Sequence, residues 1–173
     1  MSRPAVATRD MIDAILGPGR DGKIASLRAQ HPTQAEELQA YYRALFEPDA
    51  ASLAAFPLAD RALVAVRVAA HTGSVAVADW YASLARDAGV PAETIGRVRD
   101  VATPWSDRTP LGAGLRHADL LTTRPAAAQA SDLQALKDAG FSPAGILSLS
   151  QTIAFVSYQL RLIAGLRALG EAA

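Results

Sequence analysis

The chain has 173 residues, half of them apolar, which is enough to bury one sizeable core and too few to favour a second independent domain. It contains no cysteine, so thiol and disulfide chemistry by its own side chains is excluded. Seventeen basic residues balance seventeen acidic residues, which removes the excess positive charge on which nucleic-acid and anionic-membrane binders rely. We therefore expect no nucleic acid and no membrane as a partner, but small molecules or other protein chains.

Two segments bear on where the protein resides. Residues 1–16 interrupt their apolar side chains with arginines and aspartates, so they lack the unbroken apolar run of a secretory signal and favour a cytoplasmic protein. Residues 146–169 form the most apolar stretch, but two glutamines and two arginines are spread along it. A buried core helix explains this composition better than a membrane span.

Apolar residues recur at helical spacing in nearly every segment, and strictly alternating runs of valine, isoleucine and threonine are missing. These patterns predict an all-α, single-domain helical bundle. Within residues 1–173, residues 1–32 contribute N-terminal helices and a glycine-rich turn, and residues 33–102 and 109–169 form two helical halves. Helices are predicted over 33–48, 58–73, 74–89, 91–101, 109–122, 131–140 and 142–169.

Local capping patterns set the predicted helix ends. Gly89 and Gly140 are each followed by an apolar residue, which is typical of a Schellman end. The longest helix, 142–169, is apolar on most sides, so it is predicted to lie at the centre of the bundle. Two capping boxes are predicted at helix starts, Thr33 with Glu36 and Ser131 with Gln134.

Residues 17–22 match the Gly-x-Gly-x-x-Gly pattern of dinucleotide-binding turns. In those folds a strand precedes the turn, whereas residues 11–16 have a helical pattern here. A flexible turn between helices is therefore the preferred interpretation, and no nucleotide cofactor is expected.

Three histidines, His31, His71 and His117, are too few and too scattered for a local metal motif. No metal site is predicted. His31 precedes a proline in a turn and is expected to be solvated. His71 stands at a helix C-terminus, where it is either a helix-end cap or a site residue. His117 borders an apolar helix face, which suits either a structural histidine or a pocket residue.

Five stretches of the chain together resemble the alkylhydroperoxidase-D-like, or carboxymuconolactone decarboxylase, superfamily: residues 60–66, 69–74, 81–90, 141–146 and 153–162. The resemblance lies in helix order, cap positions and apolar texture, and it covers roughly residues 55–169. It implies a helical bundle that associates through apolar faces into a homo-oligomer, either a dimer, a trimer or a hexamer.

The resemblance also identifies where the thiol peroxidase branch places its reactive residues. That branch has a glycine before a Cys-x-x-Cys pair at a helix start and a histidine four residues after the second cysteine, and the helix N-terminus lowers the thiol pKa. Gly73 is retained, but every member of the relay is replaced. The replacements are Ser74 and Val77 at the two cysteine positions, Tyr81 at the histidine, Ala62 near the proton-relay glutamate and Ala76 near the tyrosine.

The residues support two hypotheses about function. In the first, the chain is a small-molecule-binding or partner subunit, in which the Gly73-Ser74 turn and the backbone amides of residues 74–77 hold a small organic acid. In the second, it resembles the decarboxylase branch and acts as a cysteine-independent acid–base enzyme. The groups for that chemistry would be His71, His117 and Tyr81, with Arg61 or Arg161 holding a substrate carboxylate.

Geometry distinguishes these hypotheses. A histidine within hydrogen-bond reach of Tyr81 in one pocket would favour the enzyme. Histidines that face solvent or cap helices would favour binding, and a purely structural subunit would have no pocket near Ser74.

Overall fold

The regular helical spacing of apolar residues corresponds to helices throughout the computed structural model, which describes residues 10–17 and 22–171. No strand occurs in those two ranges, which confirms the all-α fold class. In chain order the helices are α1 (Met11–Leu16), α2 (Gly22–Ala29), α3 (Pro32–Phe46), α4 (Ala50–Ala55), α5 (Leu58–His71), α6 (Val75–Asp87), α7 (Ala92–Arg99), α8 (Pro110–Thr123), α9 (Ala130–Asp138) and α10 (Pro143–Glu171), with a 3₁₀ turn at Pro125–Ala127.

The predicted Schellman ends are confirmed at Gly89 and Gly140, where φ is 85° and 97°. At the first of them the amide of Val90 donates to the carbonyl of Ala85 at 3.0 Å, which is the long bond of that motif. A side chain would be strained in this left-handed conformation, so glycine determines where α6 and α9 end.

Both predicted capping boxes are wrong. α3 begins at Pro32, because proline at the first helical position needs no amide partner, and Thr33 lies inside the helix. α9 begins at Ala130, where the carboxylate of Asp132 accepts from the amide of Gln129 at 2.7 Å. Each helix therefore starts before the Ser or Thr that suggested its cap.

The glycine-rich pattern at residues 17–22 falls partly outside the described residues, since 18–21 are not described. The helix that precedes it, α1, is present as predicted, and the carboxylate of Asp10 caps it by accepting from the amide of Ile12 at 2.7 Å.

The centre of the bundle is α5 and not α10, contrary to the prediction. Every residue from 61 to 69 is buried, and α6, α7, α8 and α10 all pack around this helix. α10 buries one face only and exposes Leu147, Tyr158 and Leu169 on the other. Apolar residues on all sides of α10 thus mark a face that the other described helices leave exposed, and not a central position.

α10 has the length and hydropathy of a membrane-crossing helix, with a mean hydropathy of 1.2 over its most apolar window. Its inner face nevertheless packs on α5 and includes the buried polar residues Thr152 and Gln159. The amide oxygen of Gln159 accepts from the hydroxyl of Tyr81 at 2.8 Å, which ties α10 to α6 inside the core.

Arg61 joins α5 to the two preceding helices. Its side chain is 1% exposed, and its guanidinium donates to the carbonyls of Leu45 at 2.7 Å, Ser52 at 2.6 Å and Phe56 at 2.7 Å. These carbonyls lie at the C-terminal ends of α3 and α4, where carbonyls lose their intrahelical donors. The carbonyl of Ser52 also accepts from the amide of Phe56, at 3.2 Å. Burial lowers the pKa of Arg61 from its usual value, against a smaller opposing effect of Asp49.

We predict that Arg61→Ala lowers the free energy of unfolding by about 3–5 kcal/mol, because it leaves several buried carbonyls without donors. Arg61→Lys should recover only part of the loss, since a single ammonium cannot reproduce the planar fork. Urea denaturation measures both changes. The matched control is Arg43→Ala at an exposed position of α3, which should change stability by less than about 0.5 kcal/mol. Wild-type stability of Arg61→Lys would contradict this assignment.

Candidate functional site

A tight turn connects α5 to α6 and forms one wall of the candidate site. α5 ends at His71, and the next residues close a Schellman motif in which Gly73 has φ of 69°. The amide of Ser74 donates to the carbonyl of Ala69 at 3.2 Å, and that of Gly73 to Ala70 at 3.0 Å. This turn places Ser74 as the residue before the first turn of α6.

A cavity of about 370 Å³ lies between this turn, the C-terminal end of α8 and the C-terminal half of α10. Its volume falls within the usual range for small-molecule sites. The α10 residues that contribute follow helical spacing along one face. The cavity is lined by Thr72, Gly73, Ser74, Thr122, Ser157, Leu160, Arg161, Ile163, Ala164 and Arg167.

The lining contains two arginines and no carboxylate. Within residues 10–17 and 22–171, Arg161 donates only to the carbonyl of Ser157, at 3.1 Å. The Nε of Arg167 is buried and has no hydrogen-bond partner among the described residues, and the same holds for the hydroxyl of Thr122. Neither arginine forms an ion pair within the part of the chain that the structure describes. The cavity thus has two positive charges without a protein counterion.

The N-terminal end of α6 adds to this positive potential. The first intrahelical bond of α6 runs from the amide of Ala78 to the carbonyl of Ser74, at 3.0 Å. The amides of residues 75–77 therefore precede the hydrogen-bonded part of the helix, and they carry the positive end of its dipole. The amide of Ser74 itself was predicted to be free, which is wrong, because it closes the turn onto Ala69.

Apolar side chains complete the cavity. Leu160 lies directly before Arg161 on α10, and Ile163 and Ala164 lie between the two arginines. This arrangement suits a molecule with an anionic group and a small apolar body, because the charge can meet guanidinium donors while the body is removed from water.

His71 belongs to a neighbouring ion-pair cluster. Its Nε2 lies 2.6 Å from Oδ1 of Asp119 on α8, and a carboxylate only accepts, so Nε2 carries the hydrogen. The guanidinium of the buried Arg67 donates to both oxygens of Asp119, at 2.6 and 2.9 Å. Arg67 also donates to the carbonyl of Asp100 at 2.7 Å, just after α7. The cluster fastens α5, α7 and α8 together beside the cavity.

Tyr81 lies in the core. It is fully buried and packs its ring 4.9 Å from that of Phe46. Its hydroxyl donates to Gln159, whose amide nitrogen in turn lies 2.9 Å from the sulfur of Met11. Burial raises the pKa of Tyr81 well above its usual value, so this hydroxyl stays protonated and serves as a structural donor.

His117 lies apart from both His71 and Tyr81. It is 7% exposed on the buried side of α8. Burial lowers the pKa of His117, while the Asp132 carboxylate on α9 opposes the shift to a smaller extent.

The structure therefore brings together some of the predicted site residues and separates others. Gly73, Ser74 and Arg161 line one cavity. Arg61 does not line it, and its donors are directed to helix-end carbonyls. Among the described residues, no hydrogen bond joins the three acid–base candidates to each other. His71 pairs with Asp119, Tyr81 pairs with Gln159, and His117 lies apart from both on the buried side of α8.

Arg167 and Thr122 were missed by sequence reasoning. Arg167 lies six residues after Arg161, and only the relative placement of α6 and α10 shows that both border one space. A signal was present in the sequence, because Ser157, Arg161 and Ala164 predict a less apolar face on α10 that continues to position 167 or 168.

Comparison with known proteins supports the fold and goes no further. No protein-family model matches the chain, and no curated protein matches it by sequence. Among solved structures, it is similar to an uncharacterized peroxidase-related protein from Silicibacter sp. TM1040, with a TM-score of 0.67 and 15% identity. The similarity covers 78% of this chain and 69% of the other. At this identity the similarity shows the helical fold alone.

We predict that Asp119→Ala lowers the free energy of unfolding by about 3 kcal/mol, because Arg67 is then left as an unpaired charge in the core. Thermal and urea denaturation would show the loss. Asp79 offers a matched control, since it pairs with Arg99 at an exposed site, and Asp79→Ala should cost less than about 1 kcal/mol. Equal effects of the two changes would contradict a structural role for the Arg67–Asp119 pair.

The buried imidazole of His117 leads us to predict that the free energy of unfolding falls at acidic pH. Because the pKa of His117 is lowered in the folded state, the unfolded chain binds a proton first as pH falls below about 6.5. Unfolding is therefore favoured on the acid side, and stability returns as pH rises through that value. His117→Gln should weaken this dependence in urea titrations between about pH 7 and pH 5.

The control for this experiment is His31→Gln, which changes an exposed histidine and should leave the acid-side loss in place. If His117→Gln loses as much stability as the wild type on acidification, another group accounts for it.

Proposed function

We propose that the chain is a cysteine-free protein of the alkylhydroperoxidase-D-like type that binds a small organic anion in the cavity next to Ser74. One observation carries this proposal. Two arginines, Arg161 and Arg167, line that cavity without a carboxylate partner among the described residues. A bound carboxylate or similar oxyanion would supply the missing counterion.

The contrast with the two buried arginines of α5 supports this role, since Arg161 is exposed and Arg167 is half-buried. The guanidinium of Arg61 is satisfied by carbonyls, and that of Arg67 by Asp119. Leaving the buried Nε of Arg167 without a partner costs free energy that folding has to offset. A ligand that accepts from this group would recover that free energy on binding.

The composition of the cavity restricts the ligand. Its apolar wall, formed by Leu160, Ile163 and Ala164, favours an organic anion with a small hydrocarbon or ring body over a fully hydrated inorganic ion. Thiol peroxidase chemistry is excluded by the absence of cysteine. The acid–base alternative is not favoured, since His71, Tyr81 and His117 are held by separate elements.

The direct test is calorimetric titration with benzoate, and with benzamide as an uncharged molecule of the same shape. We expect benzoate to bind and benzamide to bind at least about tenfold more weakly, because a charge-assisted hydrogen bond contributes about 1.5–3 kcal/mol. Arg167→Met should reduce benzoate affinity by a similar factor, and Ser74→Trp should block the cavity.

Arg86→Met is the matched control, because Arg86 is exposed on α6 and does not line the cavity. It should leave benzoate affinity unchanged, and far-ultraviolet circular dichroism should show that each variant is folded. Equal binding of benzoate and benzamide, or benzoate binding that survives Arg167→Met and Arg161→Met together, would refute the proposed anion site.

A further inference from the structure

The cavity beside Ser74 has more hydrogen-bond donors than a carboxylate can use. The hydroxyls of Ser74, Thr122 and Ser157 line it, and none of the three has a hydrogen-bond partner within residues 10–17 and 22–171. The guanidinium groups of Arg161 and Arg167 line it as well. A carboxylate has two oxygens with about four lone-pair sites, which cannot meet this many donors. The excess of donors favours an anion with more acceptor oxygens.

The charge of the cavity favours the same kind of anion. Arg161 and Arg167 contribute two positive charges, and the positive end of the α6 dipole lies next to Ser74. No acidic residue lines the cavity within the described ranges. A monoanion would leave about one positive charge uncompensated, whereas a phosphate monoester carries about −1.5 to −2 at pH 7 and has three acceptor oxygens. A dianionic tetrahedral group therefore matches both the charge and the donors.

The hydroxyl of Thr122 is a donor held ready on α8. A threonine inside a helix readily bonds back to the carbonyl one turn earlier. Thr123 does so to Asp119 at 2.7 Å, and Thr152 does so to Ser148 at 2.8 Å. Thr122 makes no such bond to any described residue, although its hydroxyl is buried. A buried donor without a partner costs free energy, and an acceptor bound in the cavity would remove that cost.

The remaining lining residues restrict the body of the ligand. Among the described residues, the cavity has no aromatic ring on which a nucleobase could stack. It also has no carboxylate or side-chain amide there that would accept from the hydroxyls of a sugar. Leu160, Ile163 and Ala164 form an apolar wall instead, against which a hydrocarbon or aromatic group is removed from water. These residues favour a small apolar body over a nucleoside or a sugar.

We propose that the anion bound in this cavity is a phosphate monoester with a small alkyl or aryl body. Its phosphoryl oxygens accept from the guanidinium groups of Arg161 and Arg167 and from the hydroxyl of Thr122, and its body contacts the apolar wall of α10. This inference rests on the proposed function and specifies the ligand class of the same site.

Calorimetric titration of the full chain with matched ligands tests the ligand class. Phenyl phosphate and benzoate share an aromatic ring and differ in the anionic group, while methyl phenyl phosphate keeps the tetrahedral group but carries a single charge. We expect phenyl phosphate to bind at least about tenfold more tightly than either, because it alone supplies a dianion with three terminal oxygens. Inorganic phosphate lacks the apolar body and should bind at least about tenfold more weakly than phenyl phosphate.

A change at Thr122 tests the donor set. Thr122→Val removes the hydroxyl and nearly keeps the shape of the side chain, so it should weaken phenyl phosphate binding about tenfold. It should not lower the free energy of unfolding measured in urea, because the hydroxyl has no partner among the described residues. Thr123→Val is the matched control. Thr123 is exposed and does not line the cavity, so this variant should bind phenyl phosphate like the wild type.

The outcomes separate this inference from the proposed function. If benzoate binds and phenyl phosphate binds no more tightly, the phosphate assignment is wrong and the anion site stands. Phthalate, which carries two carboxylates on the same ring, would also overturn the assignment by binding as tightly as phenyl phosphate. The same holds if Thr122→Val leaves phenyl phosphate affinity unchanged. If neither benzoate nor phenyl phosphate binds, the anion site and its ligand class are both wrong.

Discussion

Two buried guanidinium groups on the central helix hold the fold together. Arg61 and Arg67 are each 1% exposed on α5, where the other buried side chains are apolar. The first donates to carbonyls at the ends of α3 and α4, and the second binds Asp119 of α8 and the chain after α7. Helix ends have unsatisfied carbonyls that must find donors when buried. A single helix thereby fixes the ends of its neighbours, and the cavity depends on those positions.

Arginine has different roles on α5 and on α10, and its hydrogen-bond partners determine whether it stabilises the fold or is available to a ligand. The guanidinium groups of Arg61 and Arg67 donate to groups inside the protein, so replacing either residue should lower the free energy of unfolding. Arg161 and Arg167 border a cavity without a protein carboxylate among the described residues, so their charge is available to a ligand. The His71–Asp119 contact links the two groups, because it anchors the C-terminal end of α5 directly before the Gly73-Ser74 turn. Stability of the core therefore sets the geometry of the candidate site.

Helix positions and glycine-determined ends could be predicted because they depend on neighbours in sequence, as at Gly89 and Gly140. Ser74 lines a cavity, and ligand binding there stays a prediction. Tertiary partners could not be predicted. In the sequence, Arg61 could equally be an arginine that binds a ligand. Only the packing of α3 and α4 against α5 shows that its guanidinium donates to backbone carbonyls. The central place of α5 was likewise hidden, because α10 is apolar on both its buried and its exposed side.

The retained helix start and the missing cysteine fit one electrostatic argument. In the peroxidases that the chain resembles, a helix N-terminus lowers a thiol pKa because its positive end stabilises the thiolate. That field does not depend on where the negative charge comes from. In the alignment that the resemblance implies, Ser74 takes the first cysteine position, so no side chain there supplies an anion, while Arg161 and Arg167 add positive charge to the same space. Under the proposed function, the kind of field that stabilises a thiolate in those peroxidases favours an external anion here, and the site serves recognition and not covalent reaction.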